Sequence, residues 1–135
     1  MLESLNVKYL IIHCSDTADD KDLSARDIHK MHLTFGWDGI GYHKIIRRDG
    51  TLENGRPEFW VGAHTYGLNK KSLGVCLIGQ SNFTSNQLNS LEKLLIKWKK
   101  KYPLSQIKGH SEAIKTKKTC PNFDVFKFLS QRNLN

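Results

Sequence analysis

Two histidines and one cysteine, widely separated along the chain, have side chains that could bind a metal ion together. His13 and His110 each end a short apolar segment that predicts a β-strand, and Cys120 lies ten residues beyond His110, directly before a proline. Ligands lie at strand ends in sheets that helices flank, so the three side chains could meet at one sheet edge. Two imidazoles and one thiolate suit Zn²⁺, and three protein ligands leave the fourth position open, as in catalytic sites.

Zinc held in this way lowers the pKa of a bound water molecule and polarises a carbonyl group placed against the ion. The spacing also fits a second interpretation, in which both histidines hydrogen-bond to the backbone and Cys120 is an ordinary small apolar residue. The spacing alone does not separate these two interpretations.

The segments that must position these residues alternate between predicted strands and predicted helices. Asp49-Gly50 predicts a tight type I′ turn between two strands. Ser24 is a predicted helix N-cap, and Thr84 forms a predicted capping box with Gln87. The apolar patterns predict strands over 7–14, 42–48, 51–53, 72–79 and 107–109, and helices over 24–35, 84–103 and 123–129. This alternation predicts an α/β fold with a central mixed β-sheet flanked by helices.

The composition excludes several classes of protein. The chain has 135 residues, of which 39% are hydrophobic, too many for a disordered chain, and it has no apolar run of the roughly 20 residues that span a bilayer. Its three cysteines are odd in number and contain no CxxC pair, so we expect neither a disulfide framework nor a four-thiolate zinc knuckle. The N-terminus has no secretory pattern, so we expect the protein in a cytoplasm.

The chain is basic, with 21 Lys and Arg residues against 13 Asp and Glu residues and a formal net charge of +8. This charge favours encounters with polyanions such as nucleic acid, anionic lipid head groups or bacterial envelope polymers. The lysines within 97–101 end a predicted helix, where their charge complements the helix dipole or attracts the protein to an anionic envelope. No aromatic stacking platform or groove-reading helix motif accompanies the charge, so we expect no stable nucleic-acid complex.

Five ordered segments resemble the zinc-dependent type-2 N-acetylmuramoyl-L-alanine amidases: IIHCSDT, GWDGIGYHKIIRRDGTLENGRP, VGAHTYGLNKKSLGVCLIG, GHSEAI and KKTCPNFD. The chain looks most like the small single-domain phage lysozymes of this class, and it is similar in fold to animal peptidoglycan recognition proteins. The resemblance covers about 7–128 and implies one domain over 1–135. It also implies a monomeric phage or prophage endolysin, held in the host cytoplasm until release, that hydrolyses the amide between N-acetylmuramic acid and L-alanine in peptidoglycan.

The resemblance assigns roles residue by residue. His13, His110 and Cys120 match the family's three zinc ligands, which implies Zn²⁺ as the cofactor. Tyr42 and Lys118 match two residues that phage members use in catalysis beside the metal. The lysine can offer a positive charge to the oxyanion that forms from the amide carbonyl. The tyrosine can donate a hydrogen bond to that oxyanion or orient the water.

The remaining histidines and Cys14 divide between groove, core and surface. His64 matches a histidine that lines the substrate groove in relatives, which implies a substrate-binding role. Strand alternation turns His43 away from Tyr42 and Cys14 away from the histidine before it, so we expect His43 outside the site and Cys14 in the core. Two histidines of the first predicted helix are expected to be surface or packing residues: His29 and His32.

Two other functions fit the same resemblance. Recognition proteins of this fold that lack the ligand cysteine bind peptidoglycan without cutting it, so a non-catalytic binding module is one alternative, although Cys120 favours catalysis. A cytoplasmic amidase that trims recycled muropeptides is the other. Phage relatives also bind a phage RNA polymerase, partly through residues ahead of the first strand. Only six residues precede Val7 here, so we do not expect this partner.

Overall fold

A computed structural model describes residues 1–3 and 6–134, which form one five-stranded sheet: β1 (Tyr9–Cys14), β2 (Lys44–Ile46), β3 (Leu52–Asn54), β4 (Ser72–Leu77) and β5 (Gln106–Gly109). The strand order is β3-β2-β4-β1-β5. β1 pairs in parallel with β4 and β5, β2 pairs in parallel with β4, and β2 and β3 form an antiparallel hairpin. The central mixed sheet and the α/β class predicted from the alternating segments are confirmed.

Four α-helices accompany the sheet in the described part of the chain: α1 (Ala25–Thr34), α2 (Ser85–Lys101), α3 (His110–Ala113) and α4 (Val125–Gln131). Ser24 caps α1, because its Oγ accepts the Asp27 amide at 3.2 Å while the Asp27 carboxylate accepts the Ser24 amide at 2.9 Å. Thr84 and Gln87 make the same reciprocal pair at α2, at 3.0 Å in both directions, so both predicted caps are confirmed. Within 1–3 and 6–134, no helix has both the length and the apolar character that crossing a bilayer requires.

The two faces of the sheet bury separate apolar clusters. On one face, Val75 of β4 and Trp98 of α2 belong to the larger cluster, which α4 also enters. On the other face, Cys76 of β4 and Ile28 of α1 belong to the smaller cluster. Successive side chains of a strand alternate between faces, and the register pairs Cys76 with His13 of β1. His13 therefore lies on the α1 side of the sheet.

The turn between β2 and β3 differs from the predicted type I′ turn. That turn needs positive φ at both central residues, but of the Asp49-Gly50 pair only Gly50 has positive φ, at +93°. The Arg47 carbonyl accepts the Gly50 amide at 2.9 Å, and the Arg47 amide donates to the Thr51 carbonyl at 2.9 Å. The type I′ prediction is therefore wrong. The Asp49 carboxylate accepts the Thr51 amide at 2.9 Å and stabilises a three-residue loop with a left-handed glycine.

The lysines within 97–101 end α2, and part of their charge is used inside the fold. The Lys99 ammonium donates to the Pro103 carbonyl at 3.1 Å, just beyond the last turn. The Lys101 ammonium lies 3.6 Å from Glu58 Oε1. Positive charge at this position also complements the C-terminus of the helix. Attraction to an anionic bacterial envelope stays a prediction.

Candidate functional site

A cleft of about 960 Å³ opens beside α1, at the carboxyl end of β1. Its walls come from the turn after β1, from α1 and the aromatic residues that follow it, and from the segments 63–66 and 116–120. These segments are far apart in sequence, so the cleft exists only in the folded chain. Every predicted site residue lines it: His13, Tyr42, His64, His110, Lys118 and Cys120.

Three of these residues form a cluster with the composition of a metal site. We call His13, His110 and Cys120 the His/Cys cluster. Their ligand atoms all lie within 4.8 Å of one another. β1 delivers His13, and the chain turns from β5 into α3 at His110, whose ring centroid lies 4.6 Å from that of His13. Glu112 fixes this turn by accepting the Gly109 amide at 2.8 Å. The chain therefore contains a possible metal site made of two imidazoles and one thiol.

Cys120 is held at the cluster by backbone hydrogen bonds. Its Sγ accepts the Cys14 amide at 3.0 Å, and its carbonyl accepts the Ser111 amide at 2.9 Å, which ties it to β1 and α3. The Cys14 thiol, which lies beside Cys120 in the fold, is the largest cause that raises the pKa of Cys120, and burial is the second. A thiolate at Cys120 therefore needs a cation beside it. Cys14 is buried, as predicted, but it lies beside the site. Cys14 is the last paired residue of β1, opposite Leu77, and the chain turns just beyond it at Asp16, where φ is +56°. It therefore borders the cleft from the end of the strand.

The ring of His13 is fixed by two neighbours. Its Nε2 lies 2.9 Å from Nδ1 of His64 and 3.2 Å from Oγ1 of Thr65. Asn69 Oδ1 accepts the backbone amides of both neighbours, each at 2.9 Å, and so holds their segment in place. Burial is the main cause that lowers the pKa of His13 well below its usual value. The imidazole is therefore neutral, as a metal ligand must be.

His64 reaches His13 because Gly74 of β4 leaves room for its ring. A Cβ at Gly74 would lie 2.7 Å from ring atoms of His64, closer than side chains approach one another. A glycine inside a buried strand often marks such a close approach. The Nε2 atom of His64 lies 3.5 Å from Ser72 Oγ. It lines the cleft, and its contact with substrate stays a prediction.

Tyr42 lies beside the His/Cys cluster. Its ring centroid is 5.1 Å from that of His13. Burial is the main cause that raises the pKa of Tyr42 well above its usual value, and the nearby cysteine thiols raise it further. The hydroxyl is therefore protonated at neutral pH and can donate a hydrogen bond to an oxyanion.

Lys118 brings a positive charge to the cleft. Its side chain is exposed and lines the cleft two residues before Cys120. Its charge lowers the pKa of both His13 and His110, although burial is the larger cause for each of them. The ammonium is therefore near enough to the His/Cys cluster to stabilise negative charge that develops there.

His43 does not line the cleft, as predicted, but for a different reason. Tyr42 and His43 precede β2 in irregular backbone, so strand alternation does not separate them. The His43 ring is instead buried against His64, with a centroid distance of 5.7 Å. Its Nε2 lies 2.9 Å from the Trp60 carbonyl, and its Nδ1 accepts the Gly74 amide at 3.1 Å. Both ring nitrogens are therefore used inside the fold.

Sequence reasoning missed Thr65 and Asn69, which hold the His/Cys cluster from the segment before β4, where Asn69 begins a short 3₁₀ helix. No periodic pattern distinguishes them from other loop residues. The one available signal is that Thr65 directly follows His64 in the segment VGAHTYG. Asn69 gives no such signal, because the groups it binds are backbone amides that every residue type carries.

We predict that acid weakens the folded protein below about pH 6.5, the ordinary histidine pKa. Burial lowers the folded-state pKa of several histidines, among them His13, His43 and His64. As the pH falls, the unfolded chain therefore binds more protons than the folded chain. The stability that these neutral rings contribute is fully present above the unfolded-state pKa and is lost below it.

Each histidine contributes at most about 1.4 kcal/mol per pH unit to this loss. Urea unfolding of the metal-free protein at a series of pH values from 8 down to 5 measures it. A free energy of unfolding that stays constant over this range would contradict the prediction.

Comparisons with known proteins agree with this geometry. The family model for N-acetylmuramoyl-L-alanine amidase matches residues 3–123. The endolysin of Escherichia phage T7 is 38% identical, and the match covers 93% of this chain and 87% of that protein.

Solved structures show the same fold. The N-acetylmuramoyl-L-alanine amidase LysC from Clostridium intestinale URNW superimposes with a TM-score of 0.85 at 31% identity, covering 96% of this chain and 87% of that chain. Drosophila PGRP-LB superimposes with a TM-score of 0.77 at 30% identity, covering 92% of this chain and 79% of that chain. The predicted likeness in fold to amidases and peptidoglycan recognition proteins is confirmed.

Proposed function

The chain belongs to the N-acetylmuramoyl-L-alanine amidase family, and from this membership we propose how its cleft hydrolyses peptidoglycan. It is an amidase of the phage endolysin kind and cuts the amide between N-acetylmuramic acid and L-alanine. We assign a zinc ion to His13, His110 and Cys120, and the stabilisation of the reacting carbonyl to Tyr42 and Lys118. The convergence of the three ligand atoms within 4.8 Å carries this assignment.

The donor set fits zinc. Thiolate and imidazole ligands suit zinc, whereas magnesium and calcium prefer oxygen ligands. The Cys14 amide donates to Cys120 Sγ at 3.0 Å, a contact that favours the thiolate form. His64 and Thr65 engage Nε2 of His13, which leaves the other ring nitrogen for a metal ion. Bound to these residues, zinc would supply a nucleophile at neutral pH and would polarise the substrate carbonyl.

Tyr42 and Lys118 act on the carbonyl oxygen of the scissile amide. Tyr42 donates its protonated hydroxyl to this oxygen as the oxygen gains negative charge. Lys118 places its ammonium near the same charge. The charge is small in the planar amide and full in the tetrahedral species, so both contacts stabilise the transition state more than the bound substrate.

Mass spectrometry of the products from Gram-negative sacculi tests this function. We expect the release of stem peptides that begin with a free L-alanine amino group, while the glycan strands stay uncut. In the presence of a zinc chelator we expect no release of stem peptides. Cuts within the glycan or within the stem peptide would contradict the assigned bond. Intact sacculi that still sediment with the protein would indicate a binding module instead.

A further inference from the structure

Two histidines of α1 hold the loop that carries Tyr42. His29 Nδ1 accepts the Ile40 amide at 3.0 Å, and His32 Nδ1 accepts the Gly41 amide at 3.1 Å. These amides are successive and directly precede Tyr42. A ring nitrogen that accepts a hydrogen bond carries no proton, so each imidazole bears its hydrogen on Nε2. The expectation of surface or packing residues is therefore incomplete, because both rings bind the backbone of the site.

His32 also supports the ring of Tyr42. It is 6% exposed, and its ring centroid lies 5.5 Å from that of Tyr42, which in turn lies 5.1 Å from that of His13. The His32 ring also contacts the ring of Trp37, with a centroid distance of 4.7 Å. The hydrogen bond of His29 lies at an exposed position, where water can replace it. The stronger support for Tyr42 therefore comes from His32.

Other contacts hold the carbonyls of this loop, whereas the Gly41 amide is held by His32. The Gly41 carbonyl accepts the Ala63 amide at 3.0 Å, and the Ile40 carbonyl accepts Arg56 Nε at 3.1 Å. A Cβ at Gly41 would lie 2.0 Å from the Ala63 carbonyl oxygen, so these two segments are in close contact. The buried Gly41 amide relies on His32 for its partner, and a buried amide without a partner is destabilising. Loss of this acceptor would therefore shift the loop.

We propose that His32 is a positioning residue for amide hydrolysis and acts through Tyr42. By accepting the Gly41 amide and packing against the Tyr42 ring, it holds the phenol hydroxyl where that group can donate to the oxyanion beside the His/Cys cluster. A catalytic group displaced by about 1 Å can lose about a hundredfold in rate. The inference rests on the proposed role of Tyr42, but its claim about geometry can be measured separately.

Two substitutions separate the hydrogen bond from the bulk of the ring. His32→Asn places an amide oxygen near the position of Nδ1, whereas His32→Leu keeps the bulk and removes the acceptor. On a soluble muramyl peptide, well below the Tm of each variant, we expect His32→Leu to lower kcat about 10- to 100-fold with little change in KM. We expect His32→Asn to recover most of this loss, and both variants to keep their zinc.

The matched control is His29→Leu, which removes the exposed hydrogen bond to the same loop and should lower kcat less than His32→Leu does. A His32→Leu enzyme with the kcat of the wild type would overturn the proposal. So would a rise in KM alone, or a His32→Asn variant that is no more active than His32→Leu.

A double-mutant cycle tests whether the effect passes through Tyr42. In a Tyr42→Phe background the hydroxyl is absent, so we expect His32→Leu to cause no further loss of kcat. An equal loss in both backgrounds would show a general structural effect and overturn the proposal.

Carbon NMR of protein labelled at the tyrosine ζ carbon measures the surroundings of the Tyr42 ring independently of enzyme activity. We expect the Tyr42 signal, assigned by its absence in Tyr42→Phe, to shift in His32→Leu and to return in His32→Asn. The signal of Tyr66, which is 91% exposed, should not move. An unshifted Tyr42 signal overturns the proposal whatever the activity. A fully active Tyr42→Phe enzyme would instead overturn the catalytic role of Tyr42. In that case the Tyr42 carbon signal still shows whether His32 positions the Tyr42 ring.

Discussion

Cys120→Ser is expected to lose the bound metal and at least about a thousandfold in turnover, because the reaction depends on a nucleophile that the metal makes available at neutral pH. A serine hydroxyl is a far poorer zinc ligand than a thiolate, and the remaining imidazoles of His13 and His110 are too few to hold the ion tightly. Metal content after dialysis and the release of soluble fragments from sacculi measure the two losses.

The matched variant is Cys120→Asp, whose carboxylate is itself a zinc ligand. We expect it to keep more metal and more activity than Cys120→Ser, although both variants remove the thiol. This ordering separates loss of a ligand from damage to the local fold. A Cys120→Ser enzyme that retains both its zinc and its turnover would show that the His/Cys cluster is not the catalytic metal site.

Lys118→Ala and Tyr42→Phe are each expected to lower kcat about 10²- to 10³-fold while zinc stays bound, because each removes one group that stabilises the oxyanion. Tyr42→Phe keeps the ring that packs 5.1 Å from the His13 ring and removes only the hydroxyl. Lys118 is exposed, so its loss should leave the Tm unchanged. Initial rates on a soluble muramyl peptide, together with metal content and Tm, measure these effects.

Lys115→Ala is the matched control for Lys118→Ala. Lys115 is an exposed lysine in the same basic run, but it does not line the cleft. We expect its replacement to leave kcat unchanged, which would show that position in the cleft, and not the charge of the run, matters. Normal turnover in both Lys118→Ala and Tyr42→Phe would refute their assigned roles.

Most of the fold could be predicted from local patterns, because those patterns describe contacts between residues close in sequence. The cap formed by Ser24 and the capping box of Thr84 depend on groups three residues apart, and both predictions are confirmed. The sequence correctly predicts that a hairpin turn lies at Asp49-Gly50, but the predicted type of this turn is wrong. There a side-chain hydrogen bond to Thr51 stabilises a wider loop, and dipeptide preference does not contain that information.

Strand alternation failed at Tyr42 and His43, where regular pairing has not yet begun. Both residues precede β2. Outside paired strands the backbone no longer constrains successive side chains to opposite faces. The rule therefore gave the right conclusion for His43 for the wrong reason. Cys14 is still paired with Leu77, and its predicted burial is confirmed; it borders the cleft because it is the last residue of β1.

Local sequence patterns are enough to identify the helices and strands and the chemical groups available to the cleft: two imidazoles, a thiol, a phenol and an ammonium. Which other groups hold them depends on the packing of the folded chain. His13 and His64 are 51 positions apart, and the Cys14 amide and Cys120 Sγ are 106 positions apart. Hydrogen bonds over such separations depend on sheet order, on the register of β1 with β4 and on the space left at Gly74. Local propensity does not encode these quantities, since they are set by how distant elements pack together.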